Sequence, residues 1–296
     1  MDTPLRLRAF AKINLGLSIL GRRPDHYHEI RTVLQTVRLH DRLEVSLKKR
    51  DRSIEVLCDA PDIPAGPGNL VYQAAELWRR ERGLRAGIEI RLKKNIPAGS
   101  GLGGASSDAA ATLLGLEKIT GNKLPASRRL RLAAQLGSDV PFFLWGGRAL
   151  AAGRGEEVYP LADLPVRRCL IVFPNRGVST KVAYRWASLK LTGFRKPPNI
   201  NCFGKLPPSS LEKWSSVEND FESVVLEKWP ELARLKRRLL KAGGDPVSLS
   251  GSGSAVYAIF KTKRDLEKAL CSVPRGWTAF RTATLRRTSY QKAQVG

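Results

Sequence analysis

Cysteine is sparse in this chain of 296 residues, and Cys58, Cys169, Cys202 and Cys271 stand far apart with no C-x-x-C pair among them. That spacing gives no zinc or redox pattern, and free buried thiols in a reducing cytoplasm are the simplest reading. Long apolar runs are missing too, and nothing approaches the roughly 18 residues that a membrane span requires. The early run Ile13 to Leu20 follows Lys12 and leads into Gly21-Arg22-Arg23 without a small-residue cleavage site, so the N-terminus is expected to belong to the mature fold. Acidic residues are few, 27 against 51 Lys and Arg, for a net charge of +24. This excludes a disordered acidic tail and points to anionic partners: nucleic acid, an acidic membrane surface or phosphorylated small molecules. Charge alone does not choose among them. Apolar residues make up 42%, and a chain of this length can bury about three quarters of its unfolded surface without disulfide or metal support.

The clearest periodicity comes first. Leu5, Leu7, Ala9, Ala11, Ile13, Leu15, Leu17 and Ile19 occupy every odd position, a strand pattern. The run is too long for one ordinary strand of about 5–6 residues, so a bend, bulge or hairpin is expected near Asn14-Leu15-Gly16. Leu43, Val45 and Leu47 alternate, and after a polar turn so do Ile54 and Val56, which reads as a hairpin. Asn69 is placed to cap a helix striped by Leu70, Val71, Ala74, Ala75 and Trp78. Ile88, Ile90 and Leu92 form a further strand, an Ala/Leu-rich helix is expected from about Asp108, and a basic helix ends at Gly137. Beyond Pro160 the order is strand, helix, a Pro-rich loop over Asn199 to Ser210, helices broken at Pro230, two strands, a helix and a last strand ending at Ala283. Leaving aside the extra helix, this is β-α-β-β-α-β, a ferredoxin-like order. The reading is two α+β domains, residues 1–160 and 161–296.

Between the first half's strand and helix lies the strongest chemical signal, Pro97-Ala98-Gly99-Ser100-Gly101-Leu102-Gly103-Gly104-Ala105-Ser106-Ser107. Its glycines leave backbone N–H groups uncovered just before a helix N-terminus, a combination that binds anions. A Walker loop fails because no lysine follows Gly104. A dinucleotide fingerprint fails as well, because no second strand ending in Asp or Glu follows about 20 residues on. A phosphate loop of another kind is favoured over a plain strand–helix connection.

Individual residues admit two readings each. Lys12 and Asn14, two apart on a strand, share one face with Cα atoms about 6–7 Å apart; alternatively Lys12 is a solvated edge-strand lysine. Asp139 either caps a helix starting at Pro141 or acts in a site. Tyr27 and His28 follow a basic turn and could stack on and hydrogen-bond a pyrimidine; alternatively His26-Tyr27-His28 is a polar loop, or a weak two-histidine metal site lacking a third ligand. Leu70 and Tyr184 suit a core, Lys94 a solvated face. Ser106 and Ser107 could cap a helix, donate to a phosphate or ligate magnesium. Ser250 to Ser254 is a hairpin turn or a loop reaching the phosphate region from the second domain.

The run Pro97 to Ala110, P-x-G-x-G-L-G-G-x-S-S-D-A-A, resembles the nucleotide loop of the GHMP kinase superfamily. Further blocks narrow the resemblance to the branch acting on a cytidine-diphosphate-linked methylerythritol: Ala11-Lys12-Ile13-Asn14-Leu15, Gly21 to His28, Leu136 to Phe143, Gly153-Arg154-Gly155-Glu156 and Ser250-Gly251-Ser252-Gly253-Ser254. They run from Ala9 to about Phe260. The resemblance implies a ribosomal-S5-domain-2-like nucleotide domain followed by a ferredoxin-like one. It also implies transfer of a phosphoryl group from ATP, with Mg2+, to the acceptor's 2-hydroxyl in non-mevalonate isoprenoid synthesis. Lys12 and Asp139 would be catalytic, and Asn14, Tyr27, His28, Thr180 and Tyr184 would hold the acceptor. Leu70, Lys94 and Pro97 to Ser107 would hold the nucleotide. A cytoplasmic monomer or weak homodimer is implied, with small-molecule partners and neither nucleic acid nor membrane. A nucleic-acid reader has no use for the glycine loop and Asp139, and the basic residues lack the aromatic interleaving of single-strand binders. One departure stands out: the family usually has Asp-Gly-Tyr-His where this chain has His26, and glycine there would allow a positive φ.

Overall fold

A computed structural model describes residues 3–48, 51–190 and 218–294, and elements are numbered over those residues. The Pro-rich stretch and Cys202 lie outside them. The first half runs β1 (Leu5–Arg22), β2 (His28–Lys48), β3 (Ile54–Cys58), α1 (Leu70–Arg82), β4 (Gly87–Lys93), α2 (Gly104–Thr120), α3 (Ala126–Leu136), α4 (Val140–Trp145), β5 (Arg148–Ala152) and β6 (Glu157–Pro160). The second comprises β7 (Arg168–Phe173), α5 (Thr180–Lys190), α6 (Glu222–Lys228), α7 (Pro230–Lys241), β8 (Val247–Leu249), β9 (Val256–Phe260), α8 (Lys263–Leu270), β10 (Thr278–Ala283) and α9 (Arg287–Gln294). No helix among the described residues is long and apolar enough to cross a membrane.

β1 is one continuous strand antiparallel to β2, and it accommodates its length through register shifts at Phe10/Lys12, Asn14/Gly16 and Ile19/Gly21. Each shift re-aims the side chains that follow. Leu7 and Ala9 therefore join the helix-covered core of the first half. Ala11, Ile13 and Leu15 pack with Cys169, Ile171 and Tyr257 of the second sheet. Leu17 and Ile19 enter the core beneath α6 and α7. The opposite face at Lys12 and Asn14 is thereby left to the cleft.

The expected hairpin between β2 and β3 does not form. β4 lies between them, antiparallel to β2 and parallel to β3. The β3–α1–β4 crossover brings β4 back beside β2, where it takes the position a hairpin partner would have. Asn69 caps α1 as expected, its side chain accepting from the Val71 amide. Helix α2 begins at Gly104, four residues before the apolar pattern starts. The β5–β6 hairpin and α9 carry no readable sequence signal.

The second sheet has the order β10-β7-β9-β8 with antiparallel neighbours, as a ferredoxin-like reading requires. The last residues return to the first half: Leu285 N donates to Thr36 O at 2.9 Å and Tyr290 Oη to Phe143 O at 2.5 Å. The thiols are not all buried. Cys169 is, whereas Cys58 is half-buried and Cys271 exposed.

His26 sits at φ 67°, in the left-handed region. That conformation costs a side chain about 1–2 kcal/mol, and glycine's greater unfolded freedom returns about 0.5–1 kcal/mol of this. Replacing His26 with glycine is expected to stabilise the fold by about 0.5–1 kcal/mol, read as a higher urea midpoint at constant m-value.

Candidate active site

A cleft of about 1010 Å³ lies between the halves, lined by Lys12, Asn14, Tyr27, His28, Lys94, Asp139, Thr180, Tyr184 and the loop from Pro97 to Ser106. Residues as distant in sequence as Lys12 and Tyr184 thus share one cavity wall, and two of the expected set do not. Leu70, in the first turn of α1, packs against the first-half core. Ser107 points inward, with its hydroxyl buried and without a hydrogen-bond partner. Ile63 lines the cleft as well.

The catalytic candidates meet at the cleft's centre. Lys12 and Asn14 are each 3% exposed, so Lys12 is no solvated edge residue. Lys12 Nζ donates to Asn14 Oδ1 at 2.5 Å and stands 3.6 Å from Asp139 Oδ2. The Asn14 amide is oriented from behind: Nδ2 donates to Thr32 Oγ1 at 2.8 Å, and that hydroxyl donates to Gly16 O at 2.6 Å. The bulge at Asn14–Gly16 supplies this carbonyl. Asp139 occupies the cap position of α4 but makes no side-chain cap hydrogen bond, which leaves its carboxylate for Lys12 and the cleft. Burial lowers the Lys12 pKa below its ordinary value, and the nearby Asp139 opposes this. The result is a dry ammonium beside an accessible carboxylate.

The glycine loop rims one side. Gly103, at φ 74°, precedes α2, whose first residues, Gly104 to Ser106, line the cavity. Its position admits no side chain, since a Cβ there would fall 2.8 Å from the Phe143 ring and 3.1 Å from Lys12 Cγ. Ser100 and Leu102 anchor the loop: Ser100 Oγ donates to Pro97 O at 2.6 Å, and Leu102 is buried against Ile13 and its neighbours.

Lys94 lies behind the loop between two carboxylates, with Nζ donating to Asp41 at 2.5 Å and to Asp108 at 2.6 Å. Burial alone would lower its pKa, but the two carboxylates together raise it. Asp108 is pushed up to about 8, chiefly by burial, with Lys94 pulling the other way. Its proton is held in the folded chain between the ordinary value of 3.8 and about 8, so this group makes stability fall as pH rises through that window. The Asp108→Asn variant is expected to lose less Tm than the wild type between about pH 5 and pH 8.

The far side is aromatic. The His28 and Tyr184 rings stack at 4.6 Å and 13°, and Tyr184 meets Phe221 edge-on at 4.9 Å and 79°. Desolvation and then Arg22 lower the His28 pKa, which favours a neutral ring able to donate and accept. Tyr27 is 55% exposed, with the Arg154 guanidinium 4.9 Å from its ring centroid. Arg22, Lys181 and Arg185 add positive charge to this wall. Thr180 Oγ1 lies 3.3 Å from Ser252 Oγ, joining α5 to the Ser250–Ser254 loop. That loop does reach the glycine loop: Ser250 Oγ donates to Gly101 O at 2.9 Å.

Sequence reasoning misses Phe221, Arg22 and Arg154 as wall residues. Arg154 stands in a motif already singled out, Gly153-Arg154-Gly155-Glu156. Phe221 follows Asn219-Asp220, a stretch with neither periodicity nor a chemical motif.

A glycine cradle at a helix N-terminus, packed beside a buried lysine in a cleft between two halves, is the arrangement of a GHMP-type kinase. Family models agree: GHMP kinases N terminal domain matches residues 69–147, and GHMP kinases C terminal matches residues 199–279. A 4-diphosphocytidyl-2-C-methyl-D-erythritol kinase from Solibacter usitatus is 42% identical over 289 residues, covering 96% of this chain and 90% of the relative. A crystal structure of 4-(cytidine 5'-diphospho)-2C-methyl-D-erythritol kinase superposes with a TM-score of 0.76 at 33% identity, covering 94% of this chain and 98% of that one. A homoserine kinase from Cytophaga hutchinsonii shares the fold at a TM-score of 0.74 and 19% identity, covering 98% and 97%. The chain belongs to the 4-diphosphocytidyl-2-C-methyl-D-erythritol kinase family.

Proposed function

We propose that this enzyme transfers the γ-phosphoryl group of ATP to the 2-hydroxyl of 4-diphosphocytidyl-2-C-methyl-D-erythritol, a step of non-mevalonate isoprenoid synthesis. One observation carries the reading: the buried Lys12–Asn14 pair and Asp139 stand between a phosphate-binding glycine loop and a His28–Tyr184 aromatic wall, in one cleft. The loop and the α2 N-terminus hold the nucleotide phosphates. Asn14, Tyr27, His28, Thr180 and Tyr184 hold the acceptor, with the neutral His28 ring suited to a pyrimidine edge.

Asp139 accepts the proton of the hydroxyl as its oxygen bonds the γ-phosphorus. The bond from that phosphorus to the β–γ bridging oxygen breaks, and ADP leaves with that oxygen. Lys12 supplies positive charge to the attacking oxygen and the phosphoryl group at a site where water does not screen it. Magnesium arriving with nucleotide takes few protein ligands and several waters. No group of three or more His, Cys, Asp or Glu side chains forms a ready metal cage among the described residues. The Ser106 hydroxyl, on the cleft wall, is a hard oxygen donor that would fit such an ion, which when bound would neutralise phosphate charge.

The test is ADP release with magnesium-ATP and 4-diphosphocytidyl-2-C-methyl-D-erythritol, alongside homoserine, mevalonate and no-acceptor controls. Turnover confined to the cytidyl acceptor is expected. Turnover only with another alcohol would overturn the substrate assignment and keep the kinase class.

A further inference from the structure

The segment from Glu218 to Phe221 belongs to no helix or strand of either sheet, yet it is pinned to β1. Leu17 N donates to Glu218 O at 3.1 Å, and Asp220 N donates to Leu17 O at 2.9 Å. These bonds lie just beyond the bulge that presents Lys12 and Asn14. Between them sits Asn219, 2% exposed and with every polar atom of its side chain engaged. Its Nδ2 donates to Leu249 O at 3.0 Å and to Gly251 O at 2.8 Å. Its Oδ1 accepts from Phe221 N at 3.0 Å. Only a side-chain amide offers two donors and an acceptor in this arrangement; a carboxylate would set oxygen against two carbonyls.

One of the residues that the amide holds lies against the proposed chemistry. Gly251 lies at φ +57°, and a Cβ placed on it would stand 3.3 Å from both Asn14 Oδ1 and Lys12 Nζ. This glycine therefore roofs the lysine amine and helps to keep it dry. The adjacent Ser250 bonds the glycine loop. On the other side, Phe221 supports Tyr184 edge-on. The acceptor wall, the phosphate loop and the strand bearing Lys12 thus meet at one amide that does not line the cleft.

We propose that Asn219 is a positioning residue for phosphoryl transfer: its amide holds Gly251 over the Lys12–Asn14 pair and so fixes the amine in its dry setting. The proposal rests on the kinase reading above for its kinetic consequence, but the placement of Gly251 over Lys12 is testable without turnover.

The experiment compares the wild type with Asn219→Asp, which keeps the acceptor for Phe221 N and removes both donors. Gly251→Ala, which leaves the amide intact and crowds the lysine, serves as a second variant. Two quantities are read: kcat and KM for both substrates, and the acetylation rate of Lys12 by an amine-reactive ester followed by peptide mass spectrometry. Lys94, half-buried beside the glycine loop and tied to Asp41 and Asp108, is the internal reference. In Asn219→Asp, kcat is expected to fall about tenfold with KM for ATP within about twofold. Lys12 labelling is expected to rise about tenfold while Lys94 labelling stays constant. In Gly251→Ala the same drop in kcat is expected. A merely structural role predicts a lower Tm with kcat per folded molecule and Lys12 labelling both unchanged. Unchanged labelling of Lys12 in folded Asn219→Asp overturns the proposal whatever happens to kcat. If the wild type phosphorylates no acceptor, the kinase reading falls and the labelling alone decides the placement. Should Asn219→Asp fail to fold, Asn219→Ser is labelled in its place, with the same criterion.

Discussion

Substituting Lys12 with alanine is expected to lower kcat by about 10²–10³-fold, the usual loss when one preorganised donor to developing charge is removed. KM for ATP should change little, because the amine is tied to Asn14 and Asp139 and not to the glycine loop. Asp139→Asn should cost about 10²–10⁴-fold in kcat, since the amide keeps the shape and cannot take the hydroxyl proton. The double variant should be only slightly worse than the poorer single one, because the two groups serve one proton and one phosphoryl transfer. Steady-state ADP release with both substrates saturating measures each of these values. Simple additivity of the two losses would mean that Lys12 and Asp139 act separately, against the 3.6 Å geometry. The pH profile gives a second check. Burial brings the Lys12 pKa below 10.5, so the ammonium is lost as pH rises through that lowered value, and activity should decline on an alkaline limb. In Lys12→Arg any remaining activity should persist to higher pH, because guanidinium does not titrate there.

Gly101→Ala should have the largest effect on the folded state. Gly101 lies at φ +79°, and a Cβ built on it falls 2.0 Å from Ser250 O and 3.1 Å from Gly253 O. Both obstacles are backbone, so no side chain can swing away. Overpacking of about 1–3 kcal/mol adds to about 1–2 kcal/mol for the left-handed backbone, giving a loss of about 2–5 kcal/mol in a urea titration. Nucleotide binding should be lost in whatever fraction still folds, because the only relief available separates the glycine loop from the Ser250–Ser254 loop. A variant as stable as the wild type with normal KM for ATP would contradict the close docking of these two loops.

Much of this arrangement is legible in the sequence, for definite reasons. The period-2 alternation of β1 and the ferredoxin-like order of the second half follow from local patterning. The glycine loop advertises itself because exposed backbone amides require small residues in succession. Lys12 and Asn14 are readable as a pair because strand geometry puts alternate residues on one face. The β4 insertion between β2 and β3 is not readable: strand partners are selected by tertiary packing, and a polar connection between alternating runs looks the same in either topology. Lys94 is legible as a lysine but not as a doubly ion-paired one, since its partners Asp41 and Asp108 are distant in sequence and meet only through the β2–β4 pairing and the start of α2. Asn219 and Phe221 carry no signal, because their importance comes from backbone carbonyls that have no sequence identity.

The path of β1 bears on how the molecule comes apart. Its side chains are shared out among four separate apolar clusters: one beneath the first-half helices, one between the sheets, one under α6 and α7, and one in which Phe10 meets Leu285 and Tyr290. A fragment ending after β6 would expose Ala11, Ile13, Leu15, Leu17 and Ile19 to water together, while the complementary fragment would lose the strand against which its sheet and Asn219 are set. Neither half is a self-sufficient module. Heat or denaturant should disassemble both in a single transition, and the cleft should vanish with the fold and not before it.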